Sequence, residues 1–194
     1  MRFPASPPRA ILIAFLFSLA AAMTTGPVNA QEDDRQFVKV APDVMNRFLA
    51  EMREDLVHLD DLLGAIAAGD MEQAARIAER RMGLGHQRLM RMQEQGASDE
   101  EINRMVAKIR KMAVSEGVDL PKALHGKKHG GIGMLMPEEL RAMGQEMHKA
   151  AYHLADVARA AKNPPDAGDY RKLFAAVNDI TTQCRGCHET FRVR

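Results

Sequence analysis

The chain contains two cysteines, and both lie near its C-terminus beside a histidine. The segment reads Cys184-Arg185-Gly186-Cys187-His188. Residues three and four apart share one face of a helix, so both sulfurs and the imidazole would emerge on the same side of one helical turn. Two thiols placed in this way can add across the vinyl groups of a haem, and the imidazole can reach its iron. This C-x-x-C-H spacing is the signature of covalent c-type haem attachment.

Two other kinds of site use a pair of cysteines at this spacing. A thiol–disulfide redox site usually accompanies a βαβ pattern, whereas these cysteines close a helical segment. A zinc site needs about four ligands, and the chain has no second cysteine pair. The motif therefore favours one covalently bound haem c, with thioethers at Cys184 and Cys187 and with His188 as the axial iron ligand.

The N-terminal residues 1–30 predict a cleaved signal peptide. Arg2 and Arg9 provide a basic start, residues 10–23 are apolar or small, and Val28-Asn29-Ala30 resembles a cleavage site. The apolar run is shorter than the roughly 20 residues that a membrane-spanning helix needs. We therefore expect a periplasmic protein whose mature chain, residues 31–194, has no membrane span. The 27 basic and 26 acidic side chains nearly balance, which gives the chain no electrostatic reason to bind nucleic acid.

The residues that follow predict an almost entirely helical chain, because apolar residues recur at steps of three and four and no strand pattern appears. A first helix from Pro42 to Gly69 carries the apolar stripe Met45, Phe48, Met52, Leu56, Leu59, Leu63 and Ile66. Asp70 can cap a second helix, which weakens at 83–85 and continues to about residue 95. Ser98 and Glu101 can form a capping box for a further helix that ends near residue 117.

A loop is expected over residues 118–136, and Pro137 suits the first turn of the next helix. The stripe of that helix is Leu140, Met143, Met147, Ala151, Leu154 and Ala158. A last helix starts near Asp169 and carries Leu173, Val177, Ile180, Cys184, Cys187 and Phe191 on one side. The predicted fold is all-α: a four-helix bundle with an extra helix and loop, about 83–136, inserted between the second and third main helices.

Two segments resemble the cytochrome c′ and cytochrome c-556 family. Residues 184–192 read C-R-G-C-H-E-T-F-R, similar to the end of the last helix in that family, and residues 63–70 read L-G-A-I-A-A-G-D, similar to the end of its first helix. The resemblance implies a four-helix bundle with one haem c, which transfers electrons to redox partner proteins in the periplasm and is not an enzyme. It also implies a homodimer through the first two helices. Arg192, one helical turn beyond His188, would lie near a haem propionate or the proximal side of the iron.

The sixth position of the iron separates two functions. In the family, a residue of the first helix faces the iron: a methionine in the c-556 type and an apolar residue in the c′ type. Met52 on the first stripe is the candidate ligand here, although counting back from Gly69 places Arg53 at the expected position. A thioether ligand raises the reduction potential and suits an electron carrier. An open position instead suits the binding of small gases such as nitric oxide or carbon monoxide.

The remaining histidines are weaker candidates. His58 and His148 flank apolar stripes, and we expect them to be partly exposed helix residues rather than haem ligands. His125 and His129 lie in the predicted loop with Lys127 and Lys128. Two histidines without a carboxylate partner are more typical of a solvated loop than of a metal site.

Overall fold

Helices make up most of residues 33–113 and 131–194, the part of the chain that this computed structural model describes. They are α1 (Pro42–Ala67), α2 (Met71–Ile77), α3 (His86–Glu94), α4 (Asp99–Ala113), α5 (Glu138–Arg159) and α6 (Ala167–Thr190). The prediction of an all-α fold is confirmed. None of these helices is both long and apolar enough to cross a bilayer. The predicted signal peptide, residues 1–30, and the loop side chains His125, Lys127, Lys128 and His129 lie outside the described residues.

Helix α1 begins and ends where the sequence predicts. Pro42 occupies its first turn, where the missing N–H of proline costs no hydrogen bond. The chain leaves the helix through Gly69, whose φ of +75° is a left-handed conformation that favours glycine. Asp70 then caps α2 as expected, because its Oδ1 accepts a hydrogen bond from the main-chain N–H of Gln73 at 2.9 Å.

The buried face of α1 differs from the predicted stripe. Leu56 and Leu63 are 67% and 37% exposed, whereas His58 and Leu62 are buried. An ideal helix drifts by about 20° at each step of seven residues, so residues seven apart do not stay on one face. The partly buried positions also include the polar Asp55, which does not belong to an apolar pattern.

A π-helical turn, Ala78–Met82, follows α2 directly. It was not predicted, because its residues have the same composition as an ordinary helix. The chain then breaks at Gly83 and Gly85, as the sequence indicates, and Gly85 adopts a φ of +76°.

Gly83 is packed too closely for any side chain. A Cβ at this position would lie 2.4 Å from the carbonyl oxygen of Glu79 and 2.6 Å from the ring of Tyr152. The Tyr152 hydroxyl is fixed, because it donates a hydrogen bond to the carbonyl of Leu84 at 2.7 Å. Overpacking of this kind costs about 1–3 kcal/mol, so we expect Gly83→Ala to lower the free energy of unfolding, measured by denaturant titration, by about 2 kcal/mol. Gly144→Ala is the control, since its Cβ would meet no atom within 4 Å; an equal loss in both variants would contradict the packing argument.

The segment between the main helices contains two helices rather than one. The predicted capping box at the start of α4 is confirmed: Ser98 Oγ accepts from the Glu101 N–H at 3.3 Å, and Glu101 Oε2 accepts from the Ser98 N–H at 2.8 Å. The predicted end of this helix near residue 117 falls outside the described ranges. Ile132–Leu135 forms a 3₁₀ turn where a loop was expected.

The largest apolar core draws on α1, α2 with its π turn, α5 and α6. Its most enclosed side chains are Leu62, Ile66, Met82, Leu154, Leu173 and Ile180. Helices α3 and α4 form a separate cluster with Tyr152 of α5, made of Leu84, Leu89, Ile102, Val106 and Ile109. The inserted helices therefore pack against α5 without entering the main core.

A buried ion-pair cluster joins three of these elements. Glu79, in the π turn, is only 4% exposed. Its carboxylate pairs with Arg110 of α4 at 3.0 Å and with Arg159 of α5 at 2.7 Å. The guanidinium of Arg110 also lies over the Tyr152 ring, 4.6 Å from its centroid. One buried carboxylate thus holds α4 against the main helices.

A short parallel ribbon connects the two ends of this helical unit. Strand β1 (Gln36–Val38) pairs with strand β2 (Phe191–Val193), so that Gln36 faces Phe191 and Val38 faces Val193. No strand was predicted, because three residues are too few to show an alternating pattern. The ribbon corrects two predictions: Phe191 and Arg192 do not continue the last helix, which ends at Thr190.

Candidate haem-attachment site

The three residues of the motif occupy the last turns of α6. Cys184 and His188 are exposed, and Cys187 is half-buried. Both cysteines are free thiols. Helix α6 begins at a capping box in which Asp166 Oδ1 accepts from the Asp169 N–H at 3.0 Å. Asp169 is therefore the third residue of the helix. The helix starts at Ala167, two residues before the predicted start near Asp169.

Both thiols have a raised pKa. Although the residue is exposed, the surrounding protein removes part of the hydration of the Cys184 thiol and so raises its pKa, and the negative charge of Asp55 on α1 raises it further. Burial also raises the pKa of Cys187, with a smaller contribution from Cys184. Thiol–disulfide redox sites use the opposite arrangement, in which a positive environment lowers the thiol pKa and stabilises the thiolate. The electrostatics therefore weigh against a redox disulfide at this position.

The main chain of the motif is hydrogen-bonded at three successive carbonyls. The Thr190 hydroxyl donates to the carbonyl of Gly186 at 2.7 Å, and the Phe191 N–H donates to that of Cys187. Arg35, just before β1, donates from Nη1 to the carbonyl of His188 at 3.2 Å. The last turn is thus held by its own helix end and by the N-terminal segment.

Gly186 allows close contact between α5 and α6. A Cβ at Gly186 would lie 3.1 Å from the terminal methyl carbon of Met143. The glycine therefore avoids a tight contact with the Met143 side chain.

An apolar cluster adjoins the second cysteine. Its buried members are Val38, Ile132, Met136, Leu140 and Phe191, and Cys187, Phe48 and Met143 pack against them. A flat apolar cofactor attached at Cys187 would have aliphatic and aromatic surface beside it, which is how protein pockets hold such groups.

A cavity of about 160 Å³ lies between α1, α5 and the two ends of the inserted segment. Met52 lines it, whereas Cys184, Cys187 and His188 do not. Phe48, Ile132, Met136 and Leu140 belong both to its lining and to the cluster beside Cys187. Met52 thus lines a cavity that shares four residues with the cluster against which Cys187 packs.

Polar side chains that sequence reasoning missed also line this cavity. Burial raises the pKa of Glu51 to about 7, although a hydrogen bond from the Gln87 amide opposes the shift. Burial likewise raises the pKa of Asp55 to about 6. Acidic and apolar residues are interspersed along α1, so nothing in the sequence separates these carboxyl groups from exposed ones.

Of the two helix histidines considered above, His148 is partly exposed as expected, whereas His58 is more enclosed. His58 is 7% exposed, and burial lowers its pKa, so the prediction of a partly exposed side chain was wrong for this residue. His148 lines the cavity, and its Nδ1 donates to the carbonyl of Met82 at 2.7 Å. Burial lowers the pKa of His148 as well. Its ring lies beside that of His86, with 5.0 Å between the centroids.

Arg192 lies on β2 instead of a helical turn beyond His188. Its guanidinium carbon is 5.8 Å from the centroid of the Phe37 ring on β1, a cation–π distance. The change follows from the end of α6 at Thr190, which turns the chain into an extended strand before Arg192 is reached.

The donor set at the end of α6 fits a haem, which requires few ligands from the protein. In residues 33–113 and 131–194, no three His, Cys, Asp or Glu side chains come together as a metal site. A haem iron needs only one or two axial protein ligands, because the porphyrin nitrogens supply the others.

Comparisons with protein-family models, with curated protein sequences and with solved structures gave no match to this chain.

Proposed function

We propose that this chain is a periplasmic c-type cytochrome that transfers electrons through one covalently bound haem c. The observation that supports it most strongly is the placement of two free thiols and an imidazole on the last turns of one helix, at Cys184, Cys187 and His188. The apolar cluster beside Cys187 agrees with this reading. When bound, the haem would supply one-electron redox chemistry, and the protein would set its potential through ligands, hydrogen bonds and burial.

The architecture suits this proposal. The main core is shared by α1, α2, α5 and α6, the set expected for the proposed four-helix bundle, with α3 and α4 as the insertion. Cys184 and Cys187 would hold the haem, His188 would bind one face of its iron, and Met52 would bind the other. An exposed apolar strip runs along α1 and is formed by Leu49, Leu56, Val57 and Leu63. This strip supports the proposed homodimer through the first helices.

A second candidate function is the binding of small gases at an open sixth position. The cavity beside Met52 favours it, because about 160 Å³ is comparable to engineered cavities that hold benzene or xenon. The two functions differ in whether Met52 binds iron or only lines this space.

The absorption spectrum of the purified protein, oxidised and reduced, with and without carbon monoxide, tests both functions. For an electron carrier we expect a low-spin reduced spectrum that carbon monoxide leaves unchanged, and Met52→Leu should convert it to a high-spin spectrum that responds to carbon monoxide. Met147→Leu is the matched control, because it makes the same change in the same cavity lining and should preserve the wild-type spectrum. A wild-type protein that is already high-spin and binds carbon monoxide would support the gas-binding function instead. Absence of any haem spectrum after export and maturation would overturn both.

A further inference from the structure

The helix turn that carries the proposed axial ligand is held by the segment just before β1. Arg35 Nη1 reaches the main-chain carbonyl of His188 across 153 residues of sequence. The contact is made at the point where α6 ends and β2 begins, and β1 lies parallel to β2 beside it. No motif in the sequence connects residues 35 and 188.

A helix end needs such a contact, because its last four carbonyls have no partner within the helix. Residues 187–190 are those positions in α6. The carbonyl of Cys187 is satisfied by the Phe191 N–H, and that of His188 by Arg35. A guanidinium at this end of a helix is also favoured by the negative pole of the helix dipole. Arg35 therefore supplies both the hydrogen bond and the charge that suit this position.

The segment that carries Arg35 is itself well anchored. Val38 of β1 and Phe191 of β2 are 4% and 5% exposed and belong to the apolar cluster that Cys187 joins. Beyond the strands, the Arg194 N–H donates to the carbonyl of Val38, and the Val40 N–H donates to that of Arg194, each at 2.9 Å. The main chain at residue 35 is thus fixed relative to the end of α6.

We propose that Arg35 is a positioning residue for the axial histidine: it fixes the main chain at His188 and, through it, the orientation of the imidazole on the iron. This inference rests on the proposed function. Because the imidazole of His188 is exposed, its direction depends on how firmly the last turn of the helix is held.

The expected effect can be bounded from other metal sites. Removing a partner that orients a metal ligand usually lowers metal affinity or activity by 10–100-fold. A tenfold change in the equilibrium between reduced and oxidised iron corresponds to about 59 mV for a one-electron couple. Removal of the Arg35 charge stabilises the more positive oxidised iron, so the potential should fall.

The test compares three variants of the full, haem-loaded protein. Arg35→Ala removes the hydrogen bond and the charge, and Arg35→Lys keeps the charge and a donor. Lys39→Ala removes a cation from the same exposed stretch of chain and lies outside the contact with His188. The readouts are the reduction potential and the haem-methyl shifts in the proton NMR spectrum of the oxidised protein, which respond to the orientation of an axial imidazole.

We expect Arg35→Ala to keep its covalent haem, to lower the potential by about 59 mV and to change the pattern of methyl shifts. Arg35→Lys should restore most of both, and Lys39→Ala should leave the methyl pattern unchanged. An unaltered methyl pattern in Arg35→Ala, or equal changes in Arg35→Ala and Lys39→Ala, would overturn the positioning role and leave the proposed function intact. If Arg35→Ala does not fold, Arg35→Gln, which keeps a donor without the charge, is measured in the same way. A wild-type chain without covalent haem would instead overturn the proposed function itself.

Discussion

Replacing both cysteines of the motif by alanine is expected to abolish covalent haem binding completely. Cys184 and Cys187 are the only cysteines in the chain, so no other thiol can form a thioether. The measurement is a haem stain of the denatured protein after co-expression with a bacterial haem-attachment system and export. The single variants Cys184→Ala and Cys187→Ala should retain one thioether each and stain less strongly than the wild type.

A matched control removes a small polar group from the same stretch of helix. Thr182 is exposed and precedes the motif by two residues on α6, and Thr182→Ala should stain like the wild type. A stain that survives in the double cysteine variant would show that the haem is not attached through this motif. Wild-type protein that is exported and folded but does not stain would favour a thiol–disulfide redox site over haem attachment.

Loss of the buried carboxylate of Glu79 is expected to have the largest effect on stability. Removing one partner from a buried ion pair usually costs about 3–5 kcal/mol, because the other charge is left uncompensated. Arg110 and Arg159 each keep roughly a third of their side-chain surface in solvent, so water can partly replace the carboxylate. We therefore expect Glu79→Ala to lower the free energy of unfolding by about 3 kcal/mol, the lower end of that range.

Denaturant titration followed by circular dichroism measures this effect, with Glu72→Ala as the control. Glu72 also approaches Arg159, at 3.7 Å, but its side chain is 57% exposed. Exposed pairs contribute about 0–1 kcal/mol, so the control should lie close to the wild type. Equal losses in the two variants would show that burial of Glu79 is not the cause. Because Glu79 holds α4 against α5, a separate early transition in Glu79→Ala would indicate that the inserted helices unfold first.

Several helix boundaries could be predicted because their signals are local. Pro42 at the start of α1, Gly69 after its end, and the Ser98–Glu101 capping box each act within a few residues of the helix terminus. The faces of the helices were harder to predict. Leu56 and Leu63 fit an apolar pattern but face solvent, since the direction of a helix face is decided by the helices packed against it.

The candidate site likewise has local features that could be predicted and long-range contacts that could not. The spacing of Cys184, Cys187 and His188 is itself the local geometry of a helix, so their placement on one short stretch of α6 followed from the sequence. The Asp55 charge near Cys184, the hydrogen bond from Arg35 to His188 and the stacking of Arg192 on Phe37 join residues that are far apart in the chain. A single sequence carries no signal for such pairs, because they depend on how the packed helices bring distant segments together.

The β1–β2 ribbon also sets an order of events in time. Its pairs join residues 36–38 to residues 191–193, and a chain leaves a ribosome or an export channel N-terminus first. β1 is therefore among the first segments of the described chain to emerge, and its partner is the last. Contacts between such distant residues carry the largest loop-closure entropy and are typical of late folding steps. Because β2 directly follows α6, the ribbon cannot form until the residues of the cysteine motif have themselves emerged.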